Sequence, residues 1–201
     1  MDNEASVTLD KLRKEYSELF GNMEKKLTRQ RMEHILGCAQ EAGSLAACFG
    51  QSVEKAVLAG LFHDYYRELS GEEALALARL LKVKPGKFGK RFPKVLHGPV
   101  AAAYFKQEGL IRDPEILEGI ACHTLGEEGM GPVAKIVFMA DALEPGRSYP
   151  GVEALREQVR KSDLDRAFAL VLKQQILDMV GKGKALSKAT VRAYNQLEEQ
   201  E

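Results

Sequence analysis

Apolar residues recur at helical spacing along almost the whole of this chain, and that pattern restricts it to an all-α fold. No run alternates apolar and polar residues as a half-buried strand does, and no Asn-Gly pair marks a hairpin. A polar, amphipathic helix is expected over 8–19, a long one over 27–49 with a bend near Gly43, and a third over 53–67. Ser70 followed by Glu73 writes a capping box for a helix ending near Leu81, and the basic loop LKVKPGKFGKRFPK follows it. Pro99 reads as a first helical position, for a helix ending before Gly109. Asp113-Pro114 caps a helix reaching Thr124, and Gly131-Pro132 opens one that stops at Pro145. Further helices are expected over 151–161, 164–180 and 187–197. The reading is a single compact helical bundle of about eight to nine helices, with a helical extension over 1–25 preceding one domain over 26–201.

Composition narrows the function classes. A chain of 201 residues with a 45% hydrophobic share is large enough for one good core. Lys plus Arg and Asp plus Glu both total 29, so the basic footprint of a dedicated nucleic-acid binder is lacking. Cys38, Cys48 and Cys122 form neither a disulfide framework nor a zinc-ribbon pattern. The amino-terminal residues do not read as a signal peptide, and apolar runs such as IVFMADAL are far too short to span a bilayer. The expectation is a soluble protein of a reducing compartment, without nucleic-acid or membrane partners.

The chemistry shows where costly polar residues interrupt apolar helix faces. Val53, Val57 and Gly60 form a stripe that Asp64 continues, and Val133 and Val137 form one that Asp141 continues. A buried carboxylate costs several kcal/mol unless it is paired or holds a metal. His63 stands beside Asp64, so the two project about 100° apart around one helix and can approach a common ion from one edge. His123 continues the stripe of Ile116 and Ile120, His34 lies within HILGCA, and His97 closes KVLHG. Any one of these residues alone reads as a satisfied core or surface group. The joint pattern does not, because all four histidines of the chain occupy such places. Imidazole and carboxylate donors without thiolate suit Fe, Mn, Ni, Co or Zn at a catalytic site.

The order His34, His63-Asp64, His97, His123, Asp141 resembles the HD-domain phosphohydrolase superfamily. The phrases RMEHILGCA, AGLFHDYYREL, VLHGPVAA, ACHTLG, KIVFMADALEPGR and ATVRAYNQ are similar to the YqeK family of HD proteins, over roughly residues 25–197. The resemblance implies an HD fold over 26–201 and a symmetrical bis(5′-nucleosyl)-tetraphosphatase that cleaves diadenosine tetraphosphate into two ADP. It implies a divalent transition metal, iron first and Mn, Co or Ni next, as one or two ions. By that analogy His34, His63, Asp64 and Asp141 hold the first ion. His97 and His123 then either hold a second ion bridged by Asp64 or bind phosphate directly. A bacterial, cytoplasmic setting is implied too. The chain departs from the family pattern in carrying Arg67 where a Lys is usual, Leu125 where Thr is usual, Ala142 after Asp141, and GKGKALSKAT without His-Pro.

A polyphosphate substrate requires cations around the site. From Ala74 to Gln107 there is no acidic residue, and Arg79, Lys82, Lys84, Lys87, Lys90, Arg91, Lys94 and Lys106 fall in that window with His97. Such a loop either draws in a polyanion or simply aids solubility. Arg67 and Arg147, close beyond Asp64 and Asp141, are candidates to grip phosphate oxygens; Arg31 is a third, and Thr124 offers a hydroxyl. Asp64 and Arg67 are the residues expected to carry catalysis. Glu144 is either a partner that orients a histidine or an ordinary carboxylate at a helix end. Substrates other than the dinucleotide stay open at this point: a mononucleotide, a cyclic nucleotide or an alarmone. So do a nucleotide sensor without turnover, a purely structural bundle, and a homodimer formed through a helical surface.

Overall fold

A computed structural model describes residues 2–198. Among them are twelve α-helices and no strand: α1 Asp2–Glu15, α2 Ser17–Lys26, α3 Arg29–Cys48, α4 Val53–Phe62, α5 Gly71–Leu80, α6 Gly86–Arg91, α7 His97–Gln107, α8 Pro114–Cys122, α9 Pro132–Leu143, α10 Val152–Arg160, α11 Leu164–Gly181 and α12 Lys188–Glu198. The all-α expectation holds, but the count of eight to nine does not. The helix expected over 8–19 is instead parts of α1 and α2, because the backbone leaves helical geometry at Tyr16 (φ −102°, ψ 32°). The basic loop is not irregular either: it contains α6 and a 3-10 turn, Pro93–Leu96.

Local chemistry sets most boundaries. The Ser70 hydroxyl accepts from the Glu73 N–H while the Glu73 carboxylate accepts from the Ser70 N–H, so the capping box forms as read. Asp113 accepts from the N–H groups of Glu115 and Ile116, with Pro114 at the first helical position. Helix α7 begins two residues before Pro99. A proline there is tolerated because the first N–H groups of a helix have no partner to lose. Helix α4 ends at Phe62 rather than Arg67, which places His63 and Asp64 on the turn that follows it.

Helices α3, α4 and α9 form the centre, with α8 packed on α4 and α9, and α7 on α8. Every residue from Ala56 to Phe62 is buried, as are most of α9, which fits helices enclosed on all sides. Helix α1 packs on α3 and α4, burying Ala5, Leu9 and Leu12. One apolar cluster runs through α1, α2, α4, α7 and α8; a second joins α3 and α9 to α10, α11 and Ala193 of α12. Two glycines permit the close approaches that matter. A Cβ on Gly60 would meet the Ala39 Cα at 2.9 Å, and one on Gly98 would meet the Ile120 carbonyl oxygen at 2.6 Å. The first draws α4 onto α3, the second α7 onto α8, and the ends of these helices carry the histidines.

Candidate metal centre

Six side chains from five elements converge. His34 comes from α3, His63 and Asp64 from the turn after α4, His97 from the first position of α7, His123 from the C-terminal end of α8, and Asp141 from α9. Asp64 is central. Its Oδ1 lies 3.0 Å from His97 Nε2 and 3.7 Å from His123 Nε2, and its Oδ2 lies 3.4 Å from His63 Nε2 and 3.8 Å from His34 Nε2. Asp141 Oδ1 is 3.1 Å from His34 Nε2. Two groups among the described residues could hold a metal ion: His34 with His63 and Asp141, and His63 with Asp64 and His123. Within each group the ligand atoms lie within 4.8 Å of one another.

The imidazoles are oriented from behind. His63 Nδ1 donates to the Gly60 carbonyl at 2.7 Å, His97 Nδ1 to the Lys94 carbonyl at 2.7 Å, and His123 Nδ1 to the Ile120 carbonyl at 2.8 Å. His34 Nδ1 donates to Glu144 Oε1 at 3.1 Å. Carbonyls and carboxylates only accept, so each Nδ1 carries a proton and each Nε2 is turned to the centre, where the neutral ring presents a lone pair. The Nε2 atoms of His97 and His123 face each other at 2.9 Å, with the Thr124 hydroxyl 3.3 and 3.0 Å from them. The Nε2 atoms of His34 and His63 are buried without a hydrogen-bond partner. Orphaned, inward-facing lone pairs beside ionised carboxylates are what a cation would satisfy, and with no thiolate among them the donors suit a catalytic divalent metal.

The electrostatics keep the two carboxylates ionised and the His123 ring neutral. Burial alone would raise the Asp64 pKa, but the His63 charge and the close approach of the His123, His63 and His97 rings hold it well below the usual carboxylate range. Asp141 is likewise lowered against burial, by the close approach of His34 and the charges of His63 and Arg147. Burial pushes His123 down to about 4, despite the opposing pull of Asp64, so its ring is neutral at pH 7.

Arginines surround the carboxylates. Arg31 donates to Asp64 Oδ2 at 2.7 Å, and Arg67 Nε stands 3.9 Å from Asp64 Oδ1. Arg147 donates through Nε to the Asp141 carbonyl at 2.7 Å and through NH2 to Asp141 Oδ1 at 2.5 Å. With Asp64, His97, His123, Thr124 and Asp141 these three line a small cavity of about 110 Å³. The expected substrate-side residues Arg31, Arg67, Thr124 and Arg147 are therefore all brought to one place. Of the basic window, Arg91 and Lys94 reach an adjoining cleft of about 710 Å³, which shares Arg67 and Thr124 with the cavity. The 183–187 segment and Thr190 line the same cleft.

Sequence reasoning missed two features here. Phe88 and Phe92, with ring centroids 4.8 Å apart, line that cleft; their spacing of one helical turn inside the basic window was the available signal. Arg156 donates to the carbonyls of Leu143, Glu144 and Arg147 at 2.8, 2.7 and 3.0 Å, pinning the turn that carries Glu144 and Arg147. Nothing in its local sequence marks it.

The chain belongs to the HD-domain family, whose model matches residues 31–146. Within that family it is 35% identical to the symmetrical bis(5′-nucleosyl)-tetraphosphatase of Halalkalibacterium halodurans, over 85% of this chain and 90% of the relative. It is 31% identical to the protein of the same description from Bacillus subtilis, over 87% and 93% respectively. A crystal structure from Clostridium acetobutylicum, described as a predicted HD superfamily hydrolase involved in NAD metabolism, superposes with a TM-score of 0.86 at 31% identity, covering 92% of this chain and 98% of that one. The resemblance drawn from the sequence phrases holds over most of the chain. No helix among the described residues is long and apolar enough to cross a membrane.

Proposed function

We propose that the chain is a metal-dependent hydrolase that cleaves a dinucleoside tetraphosphate symmetrically, diadenosine tetraphosphate giving two ADP. The observation that carries this is the convergence of four inward-turned Nε2 atoms and two ionised carboxylates beside a cationic cleft. Kinship with relatives of that activity supplies the substrate class.

His34, His63, Asp64 and Asp141 are assigned to one ion, and His97 and His123 with Asp64 to a second ion or to phosphate. Iron heads the candidate metals, followed by Mn, Co and Ni. A divalent ion bound there lowers the pKa of a water and screens phosphate charge. The residues of the chain supply the positioning. Arg31, Arg67 and Arg147 offer N–H donors to phosphate oxygens from around the cavity, and Thr124 offers a hydroxyl. Asp64 joins the two ligand groups, and Arg67 compensates charge gathering on the phosphoryl oxygens. In the reaction a water oxygen bonds to one central phosphorus, and the bond from that phosphorus to the central bridging oxygen breaks. Each half leaves as a nucleoside diphosphate, and the water proton passes to solution. The setting is assigned to the cytoplasm, and a homodimer is compatible with the helical surface.

The test is chromatography of diadenosine tetraphosphate incubated with the metal-loaded chain. ADP as sole product, lost in Asp64→Ala, is the expected result. AMP plus ATP would reject symmetrical cleavage. Turnover of a mononucleotide with the dinucleotide untouched would sink the reading.

A further inference from the structure

Symmetrical cleavage needs room for a nucleoside on both sides of the reacting phosphorus, and the metal cavity is bordered by two clefts that differ. The first, already described, is aromatic and cationic, with Phe88, Phe92, Arg91, Lys94 and Lys184 and no acidic residue in its lining. The second is a groove of about 600 Å³ that meets the cavity at Arg31 and Arg147. One wall is the face of α3 bearing Gln30, Glu33, Gly37 and Gln40, and the other is the turn from Glu144 to Arg147.

Resting on the activity proposed above, we infer that this groove receives the second nucleoside of the substrate. The two chemically identical halves are then held by unlike means: stacking on phenylalanine in the first cleft, hydrogen bonds to sugar and base edge in the groove. The groove volume lies within the range of small-ligand pockets. Arg31 engages Asp64 through NH1 alone, and Arg147 engages Asp141 through Nε and NH2. A guanidinium carries five N–H donors, so both retain donors for the phosphate that links cavity to groove. Beyond that point the lining turns acidic and neutral-polar, with Glu33, Glu68, Gln30 and Gln40 and no Phe or Tyr. Carboxylates there repel further phosphate but accept from ribose hydroxyls, and each glutamine amide both donates and accepts. Gly37 sets the floor: a Cβ on it would meet Glu144 Oε2 at 2.8 Å.

The experiment is a binding titration of the metal-loaded full chain. The probes are ADP and a diadenosine tetraphosphate whose central bridging oxygen is replaced by methylene. The proteins are wild type, Gln30→Trp and Gln40→Trp; both glutamines are exposed on α3, and melting curves check the fold. In wild type the analogue should bind about tenfold or more tighter than ADP, because a tethered second half gains a site. Each tryptophan variant should lose that margin while its ADP affinity stays unchanged. An analogue that binds wild type no better than ADP, equal losses for both ligands, or no loss in either variant would overturn the inference. Turnover of the parent dinucleotide is scored separately: its absence, with analogue binding as expected, would overturn the proposed activity and leave the groove assignment standing.

Discussion

Glu144→Gln isolates the only side chain among the described residues that accepts from the Nδ1 of a ligand histidine. Both carboxylate oxygens are committed, Oε1 to His34 Nδ1 at 3.1 Å and Oε2 to the Gly146 N–H at 2.6 Å. A glutamine amide brings one acceptor oxygen to the same two donors, so one N–H must face an NH2 group. The residue is 5% exposed, which leaves little access for water to make good the loss. An unmet buried donor costs about 1–3 kcal/mol. At roughly 2–4 °C of melting temperature per kcal/mol for a chain of this size, the variant should melt about 2–12 °C lower. Where His34 is the group left unmet, its ring turns or exchanges its proton, and metal affinity falls by about 10–100-fold. Differential scanning calorimetry and competition against a chromogenic chelator measure the two effects. A Glu144→Gln protein that melts like wild type and holds its metal as tightly would refute the claim that this carboxylate sets the His34 lone pair.

Gly98→Ala should push α7 from α8, since its Cβ would meet the Ile120 carbonyl oxygen at 2.6 Å and His123 Cε1 at 3.0 Å. The expected loss is about 1–3 kcal/mol by chemical denaturation, with reduced metal content. Asp113→Ala removes the cap of α8 and should cost about 1 kcal/mol at neutral pH. Burial would raise the Asp113 pKa, but the Lys55 hydrogen bond and the capped N–H groups lower it below the ordinary value. Its contribution is therefore full above the unfolded carboxylate pKa and fades as pH falls through the lower folded value, so denaturation curves of variant and wild type should converge in acid. Chelation of the metal should lower the melting temperature by about 5–11 °C when free metal had stood at about a hundred times its dissociation constant.

The metal donors were legible because they break a rule visible in one dimension. Asp64 and Asp141 sit where the helical period calls for an apolar residue, and no local capping role explains either. Ser70 with Glu73, and Asp113 with Pro114, were legible because a cap acts within one turn of chain. What escaped depends on partners distant in sequence. Arg156 acts on carbonyls nine to thirteen residues away, and its own surroundings are those of a surface helix. Phe88 and Phe92 read as loop residues until the 183–190 segment is seen across the cleft from them. The break at Tyr16 separates two segments that are each good helix formers, so nothing short of their packing on α3 marks it. Gly60 and Gly98 look like weak points in helical runs, and only the neighbouring backbones explain them.

Three of the four imidazoles take their aim from a main-chain oxygen three residues earlier: Gly60 for His63, Lys94 for His97 and Ile120 for His123. A carbonyl is the same whichever side chain accompanies it, so sequence drift at positions 94 and 120 leaves those rings pointing where they point. His34 alone inherits its direction from a replaceable group. The centre thus has a hard part, written into helix ends and protected from point mutation, and one adjustable ligand. Divergence among related chains, or an engineer seeking a different metal without losing the bundle, has its natural handle at position 144.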